Sequence, residues 1–244
     1  LLKMQLEDKF TVYTAADGED GFKKTHLFHP DIIITDQMMP NVTGLEMLEK
    51  IRTDFQISHI PVIILTAKND DDTRIKALHL GANAYITKPF SKRYLIVRIE
   101  QLLDDRKRFR EKLWSSTEEN QSESDYGEYL VEKDKEFLSE TYKIIEENID
   151  NIEFNIDAIS DAMNLSRSAF FKKLKSITGL APVDLVKEIR LNKSIELMKT
   201  TDLTISEIAF SVGFRDSGYF GKCFKKKFEM TPREYINEYR SVKA

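Results

Sequence analysis

The sequence predicts two structural classes in one chain: an α/β half built on a parallel sheet, then an all-α half of paired helices. Three observations carry this. Residues 1–113 repeat a period of short aliphatic strand, turn and amphipathic helix, the pattern that gives parallel strands covered by helices on both faces. Residues 115–125, SSTEENQSESD, hold no apolar side chain and can bury nothing, which reads as a flexible linker. Residues 155–179 and 204–228 are weakly similar, and each reads as two short helices around a turn. The division is therefore 1–113 for the α/β half, 114–135 for an acidic linker and 136–244 for the helical half.

Composition limits the class. Hydrophobic residues at 41% and charged residues at 32% indicate a soluble globular chain. The longest aliphatic runs, such as Ile32-Ile33-Ile34 and Val62 to Leu65, are far too short to span a membrane, and no signal peptide is visible. The single Cys223 cannot form an internal disulfide, which fits a reducing cytoplasm. The four His are scattered without ligand spacing, so no zinc site is expected. The net charge of −4 hides an asymmetry: residues 1–114 carry 18 Lys+Arg against 17 Asp+Glu, residues 115–150 carry 3 against 12, and residues 151–244 carry 16 against 12. A basic end behind an acidic connector suits a partner that bears phosphates.

The first half opens without Met in what reads as the tail of a helix, residues 1–9, which predicts either a fragment or a disordered start. Strands follow at 11–15, 31–35, 61–65 and 84–86, and helices at 18–26, 44–53, 71–80 and 92–113. Ligands in such folds bind beyond the carboxyl ends of the strands. Three polar residues fall there: Asp36, Thr66 and Lys88. Singly, each is ordinary turn, strand or surface chemistry. Together they suit phosphoryl acceptance, with Asp36 as carboxylate nucleophile, Lys88 as a fixed cation and Thr66 as a hydrogen-bond donor. The Lys88-Pro89 step suggests a cis bond that aims Lys88 back into the site.

The wording of these segments is more specific than their chemistry. DIIITDQMMPNVTGLEML, PVIILTAK and GANAYITKPF closely resemble the receiver domains of two-component response regulators. The resemblance implies a flavodoxin-like fold with Asp36 as phosphoacceptor, Thr66 as switch hydroxyl and Lys88 as the phosphate-contacting ammonium. It also implies Tyr85 as a rotating aromatic, although Tyr85 reads equally well as plain core. Receivers begin with a strand carrying an acidic pair that holds Mg²⁺. No such strand precedes Leu1, so the pair is expected to be missing from this chain, with Asp36 as the remaining ligand; Mg²⁺ is expected for phosphorylation of the complete receiver and not to be bound in this fragment. In the strand order 2-1-3-4-5 the missing strand is the central one, which predicts a gap beside the 11–15 strand.

After the linker, Phe137, Leu138, Tyr142, Ile144 and Ile145 predict an amphipathic helix to about residue 148. A helix at 155–163 has Ile156, Ile159 and Ala162 on one side. Ser166 then caps RSAFFKKLKSIT, which ends at Gly179 and buries Phe170, Leu174 and Ile177. Arg167, Ser168, Phe171, Lys172 and Lys175 face outward. Phe171 is either a contact for thymine methyls or a half-buried packing residue. Pro182 opens a long helix to about Lys199, with Val183, Val186, Ile189, Ile195 and Leu197 as its stripe.

In the second pair, Thr204 with Glu207 fits a capping box, Gly213 supplies the turn, and Asp216 or Ser217 caps the last amphipathic helix. That helix turns Phe220, Phe224 and Phe228 inward, and Ser217, Gly218, Gly221, Lys222 and Lys225 outward. Two short helices joined by a Gly turn, the second small and basic outside, are the parts of a helix-turn-helix. IAFSVGFRDSGYFGKCFKKKF followed by TPREY resembles the signature of AraC/XylS-type transcription regulators. The resemblance implies two helix-turn-helix units joined by the long helix and bound to double-stranded DNA. Glu229 departs from it, standing where the family usually has Gly.

The expected base readers are Ser168, Phe171 and Lys172, then Ser217, Gly218, Gly221 and Lys222. Lys173, Lys175, Lys225, Lys226 and Lys227 are expected phosphate contacts. The combined reading is a transcription regulator controlled by phosphorylation of Asp36, non-enzymatic itself, acting as a homodimer and partnered by a histidine kinase. The pairing also resembles the C-terminal end of hybrid sensors, where kinase and regulator share one polypeptide. The alternative is a phosphorylation-independent DNA-binding regulator whose inert receiver serves dimerisation. A phosphatase of the haloacid dehalogenase type needs a second Asp two residues after the nucleophile, and Met38 stands there.

Overall fold

The computed structural model describes residues 2–67, 71–115 and 132–243. The linker expected at 115–125 falls outside them, apart from Ser115. The chain divides into two compact units, and among the described residues the division falls between Lys135 and Glu136.

The first unit contains three parallel strands in the order β1 (Ile33–Asp36), β2 (Val62–Thr66) and β3 (Ala84–Thr87). Their register sets Asp36 beside Leu65 and Thr66 beside Thr87, so the strand ends are level. Among the described residues five helices accompany them: α1 (Leu2–Leu6), α2 (Gly18–Phe28), α3 (Gly44–Thr53), α4 (Asp71–His79) and α5 (Lys92–Ser115). Both faces of the sheet are covered. On one, Ile33, Val62 and Ile64 meet Met47, Leu48 and Ile51 of α3 and Ala77 of α4. On the other, Ile63, Leu65 and Ile86 meet Leu95 and Ile99 of α5 and Leu6 of α1. Because β2 is covered on both sides, it reads as an unbroken aliphatic run.

Residues 11–15 do not form a strand. They lack a ladder partner among the described residues, and a strand without a partner has no backbone hydrogen bonds to define it. Arg52 holds the loops behind the sheet: its guanidinium donates to the carbonyls of Ser58, Ile60 and Gly81 and to Asn83 Oδ1 at 2.7–3.1 Å. Burial lowers its pKa to about 10.

The second unit is helical: α6 (Glu132–Glu147, entering it at Glu136), α7 (Ile156–Ala162), α8 (Arg167–Thr178), α9 (Pro182–Thr200), α10 (Ile205–Ser211), α11 (Ser217–Phe228) and α12 (Pro232–Lys243). The caps explain the boundaries. Asn155, Ser166, Thr204 and Asp216 each accept a hydrogen bond from the backbone N–H three residues on, and Thr204 forms the full box with Glu207. Phe170 meets Phe137 with ring centroids 5.8 Å apart. Phe220 and Phe224 are fully buried among Leu191, Ile195, Ile208 and Val212.

Two apolar expectations fail here. Val183 is 61% exposed, and Leu185 is buried instead. Ala162 is exposed, and Ser160 beside Ile159 is buried. No helix among the described residues is long and apolar enough to cross a membrane.

Helix α11 ends at Phe228, and Glu229 takes φ 62 and ψ 1, a left-handed conformation that suits Gly. An L-residue there carries a steric cost of roughly 1–2 kcal/mol. Glu229→Gly is expected to raise stability by about 0.5–1 kcal/mol, the balance of relieved strain over added unfolded-state freedom. Thermal unfolding of the pair checks it, and an unchanged or lower midpoint would show that Glu229 carries no strain.

Candidate functional site

Two candidate faces stand on these units. In the first, parallel strands with level ends deliver Asp36, Thr66 and Lys88 to one edge. Asp36 closes β1, Thr66 closes β2, and Lys88 follows β3 by one residue. The Lys88-Pro89 bond is cis. Lys88 Nζ donates to Asp36 Oδ2, and both side chains are only partly exposed. The nucleophile candidate therefore has its counter-cation in place.

Thr66 is buried, and its hydroxyl donates to Gln37 Oε1. Tyr85 Oη donates to the same oxygen at 3.2 Å. One amide thus gathers the switch hydroxyl and the aromatic named from the sequence. Gln37 was not singled out there; its one visible signal is its position next to Asp36. The loop after Asp36 is tightly tied down: Gln37 N donates to Leu65 O at 2.7 Å, and Gly44 N donates to Gln37 O at 3.1 Å. Among the described residues no group of three or more His, Cys, Asp or Glu side chains could hold a metal ion. Asp36 alone does not make the carboxylate set a Mg²⁺ site needs, so no step below is routed through a metal.

The second face belongs to α8 and α11. On α8, Arg167, Ser168, Phe171, Lys172 and Lys175 are all exposed. Arg167 pairs with Asp157 at 3.2 Å, and Lys175 Nζ lies 5.8 Å from the Phe171 ring centre. Phe171 is 36% exposed, with this cation within reach of its ring. On α11, Gly218, Lys222 and Lys225 are exposed, and Ser217 and Gly221 are half-buried. A Cβ built on Gly221 meets nothing within 4 Å. Tyr219, 56% exposed, shares this helix but was missed, because the sequence pattern offers no way to separate it from the aromatic inner stripe. Its phenol is pushed up in pKa by a hydrogen bond to Cys223.

Two expected phosphate contacts are corrected. Lys173 is 1% exposed and has no access to a duplex. Lys227 Nζ is held 2.5 Å from Glu188 Oε2 and 2.6 Å from Asn192 Oδ1, both on α9. Lys175, Lys225 and Lys226 remain exposed.

With this geometry in hand, the comparisons fall into two classes. A family profile of the response regulator receiver domain matches residues 1–100, and one of a helix-turn-helix domain matches residues 159–238. The chain belongs to the proteins that join a receiver domain to an AraC-type helix-turn-helix domain. It is 34% identical over 238 residues to histidine kinase P4 of Formosa agariphila, covering 98% of this chain and 17% of that protein. It is 44% identical over 102 residues to hybrid signal transduction histidine kinase D of Dictyostelium discoideum, covering 42% of this chain and 7% of that protein. The solved C-terminal domain of the two-component response regulator yesN from Fusobacterium nucleatum is 32% identical, covering 41% of this chain and 96% of that chain, with a TM-score of 0.39. The chain spans about a sixth or less of the length of the two curated relatives.

Proposed function

We propose that this chain is a sequence-specific DNA-binding regulator whose affinity is set by phosphorylation of Asp36. The observation that carries the reading is the Lys88–Asp36 contact at the level ends of adjacent strands, in a chain that also bears two helix-turn-helix units. A histidine kinase, separate or on the same polypeptide, supplies the phosphoryl group. An Asp36 oxygen forms the P–O bond while the phosphohistidine P–N bond breaks, and the electron pair and a proton return to the imidazole. Lys88 neutralises charge on the transferred group, and Thr66, released from Gln37, donates to another of its oxygens. The signal then favours one receiver state, and dimerisation presents two DNA heads.

The test uses the natural protein and a duplex that it enriches from a randomised pool. Acetyl phosphate with Mg²⁺ should label wild type and raise its duplex affinity about tenfold, a population shift of roughly 1.4 kcal/mol. Asp36→Asn should show neither effect. The second reading is an inert receiver serving dimerisation. Duplex affinity indifferent to acetyl phosphate would establish it in place of the first.

A further inference from the structure

Arg190 lies midway along α9, outside both candidate faces. Its Nη2 donates to Asn151 O at 2.7 Å, in the segment that leads into α7 and the first helix-turn-helix. Its Nη1 donates to Gly213 O at 2.9 Å, in the turn between α10 and α11 of the second. Its Nε is buried with no hydrogen-bond partner, so the side chain gives up one donor in order to hold the other two bonds. Gly213 has φ 79, and a Cβ there would lie 2.4 Å from Ile149 O and 2.6 Å from Arg190 Cζ. A second strap runs alongside, from Arg215 to Glu153 at 2.6 Å. The turn of one unit is therefore seated on the segment that leads into the other, with one guanidinium joining both backbones.

We propose that Arg190 is a positioning residue that fixes the distance and angle between α8 and α11, and so sets the spacing of the two half-sites the protein accepts. The inference rests on the DNA-binding reading above. Helix α9, with 19 residues, is about 28 Å long, near the ~34 Å between faces of successive turns. One strut cannot set the rotation of both ends. A guanidinium fork tied to two carbonyls removes that freedom, and the fork geometry is why an ammonium cannot replace it.

One base pair inserted between half-sites moves the second by ~3.4 Å and turns it by about 35°. A rigid head rejects that change and a loosened one follows it. The experiment starts from a bipartite duplex enriched from a randomised pool by the wild-type chain. Affinity is measured for it, for one-base-pair insertions and deletions, and for each half-site alone. Wild type should lose about 30-fold or more on insertion. Arg190→Lys, which keeps the stem and charge but reaches one carbonyl, and Arg190→Met should lose about threefold or less, with half-site affinities unchanged. A role in folding alone would lower every affinity together and leave the spacing ratio intact.

The Lys variant decides the matter if the Met variant does not fold. Undiminished spacing discrimination in folded Arg190→Lys overturns the inference while the DNA-binding reading stands. A wild-type chain that enriches no duplex overturns both, and one that enriches only a single half-site overturns the positioning role.

Discussion

Gly221→Leu is expected to lower affinity for the enriched duplex by about 100-fold or more while leaving the protein folded and no less stable. The two parts of this result have separate causes. Nothing lies within 4 Å of a Cβ at Gly221, so the first added carbon meets no neighbour in the free protein. Replacing Gly by Leu inside a helix also favours the helix by roughly 0.5–1 kcal/mol. The inner stripe of Phe220 and Phe224 is untouched. What changes is the outer face of α11, where Gly218 and Gly221 leave the backbone bare beside Lys222. Bare backbone has an energetic cost in a helix, and close approach of another surface offsets it. A Leu projecting there holds a major groove several ångströms away and forfeits the base and phosphate contacts together.

Lys225→Met, at an exposed expected phosphate contact, serves as comparator. It should weaken binding only a few-fold and reduce the salt slope by about 1, the signature of a single phosphate contact. Affinity of Gly221→Leu within threefold of wild type would take α11 out of the groove.

What could be read from the sequence divides along physical lines. Helix starts were readable because a cap is a local event: Ser166, and Thr204 with Glu207, act within four residues. The strands at Ile33–Asp36 and Val62–Thr66 were readable because coverage on both faces demands an aliphatic run. Asp36 and Lys88 were readable as a pair because parallel strands bring their ends together whatever the loop lengths. The misses depend on distant partners. Residues 11–15 have a strand-like sequence, yet pairing decides strand formation. Lys227 lies on the basic end of an amphipathic helix, but Glu188 and Asn192 on α9 claim its charge. The stripe of α9 held at Val186, Ile189 and Ile195 and failed at Val183, because this helix packs against α8, α10 and α12, which leaves it little open circumference. A helix buried on several sides shows no single apolar stripe, so Val183 and Leu185 could not be told apart by period.

Gly44→Ala is the second large effect, and here the cost falls on the receiver. Gly44 is the first residue of α3, behind the Thr43 cap, and its N–H closes the loop that follows Asp36. Its conformation is ordinary, so space alone decides the outcome. An added Cβ would lie 2.2 Å from Asp36 O and 3.1 Å from Thr35 Oγ1. Ala favours a helix over Gly by at most about 1 kcal/mol. Forcing an extra carbon into a packed site costs roughly 1–3 kcal/mol, and more where the neighbour cannot swing aside. The neighbour here is the backbone carbonyl of a strand residue, which cannot swing aside as a side-chain end can, so the overlap prevails.

The expected result is a net loss of about 2 kcal/mol, or about 8–16 °C in the melting transition of a domain this size, with slower acetyl phosphate labelling because Asp36 must move. Gly21→Ala is the control: its Cβ would come within 2.8 Å of the Met47 methyl, the far end of a flexible side chain that can turn away. Differential scanning calorimetry of both variants reads the contrast. Equal midpoints would mean that the Asp36 carbonyl yields as readily as a thioether, and the loop behind Asp36 would then not be the rigid support that the level strand ends describe.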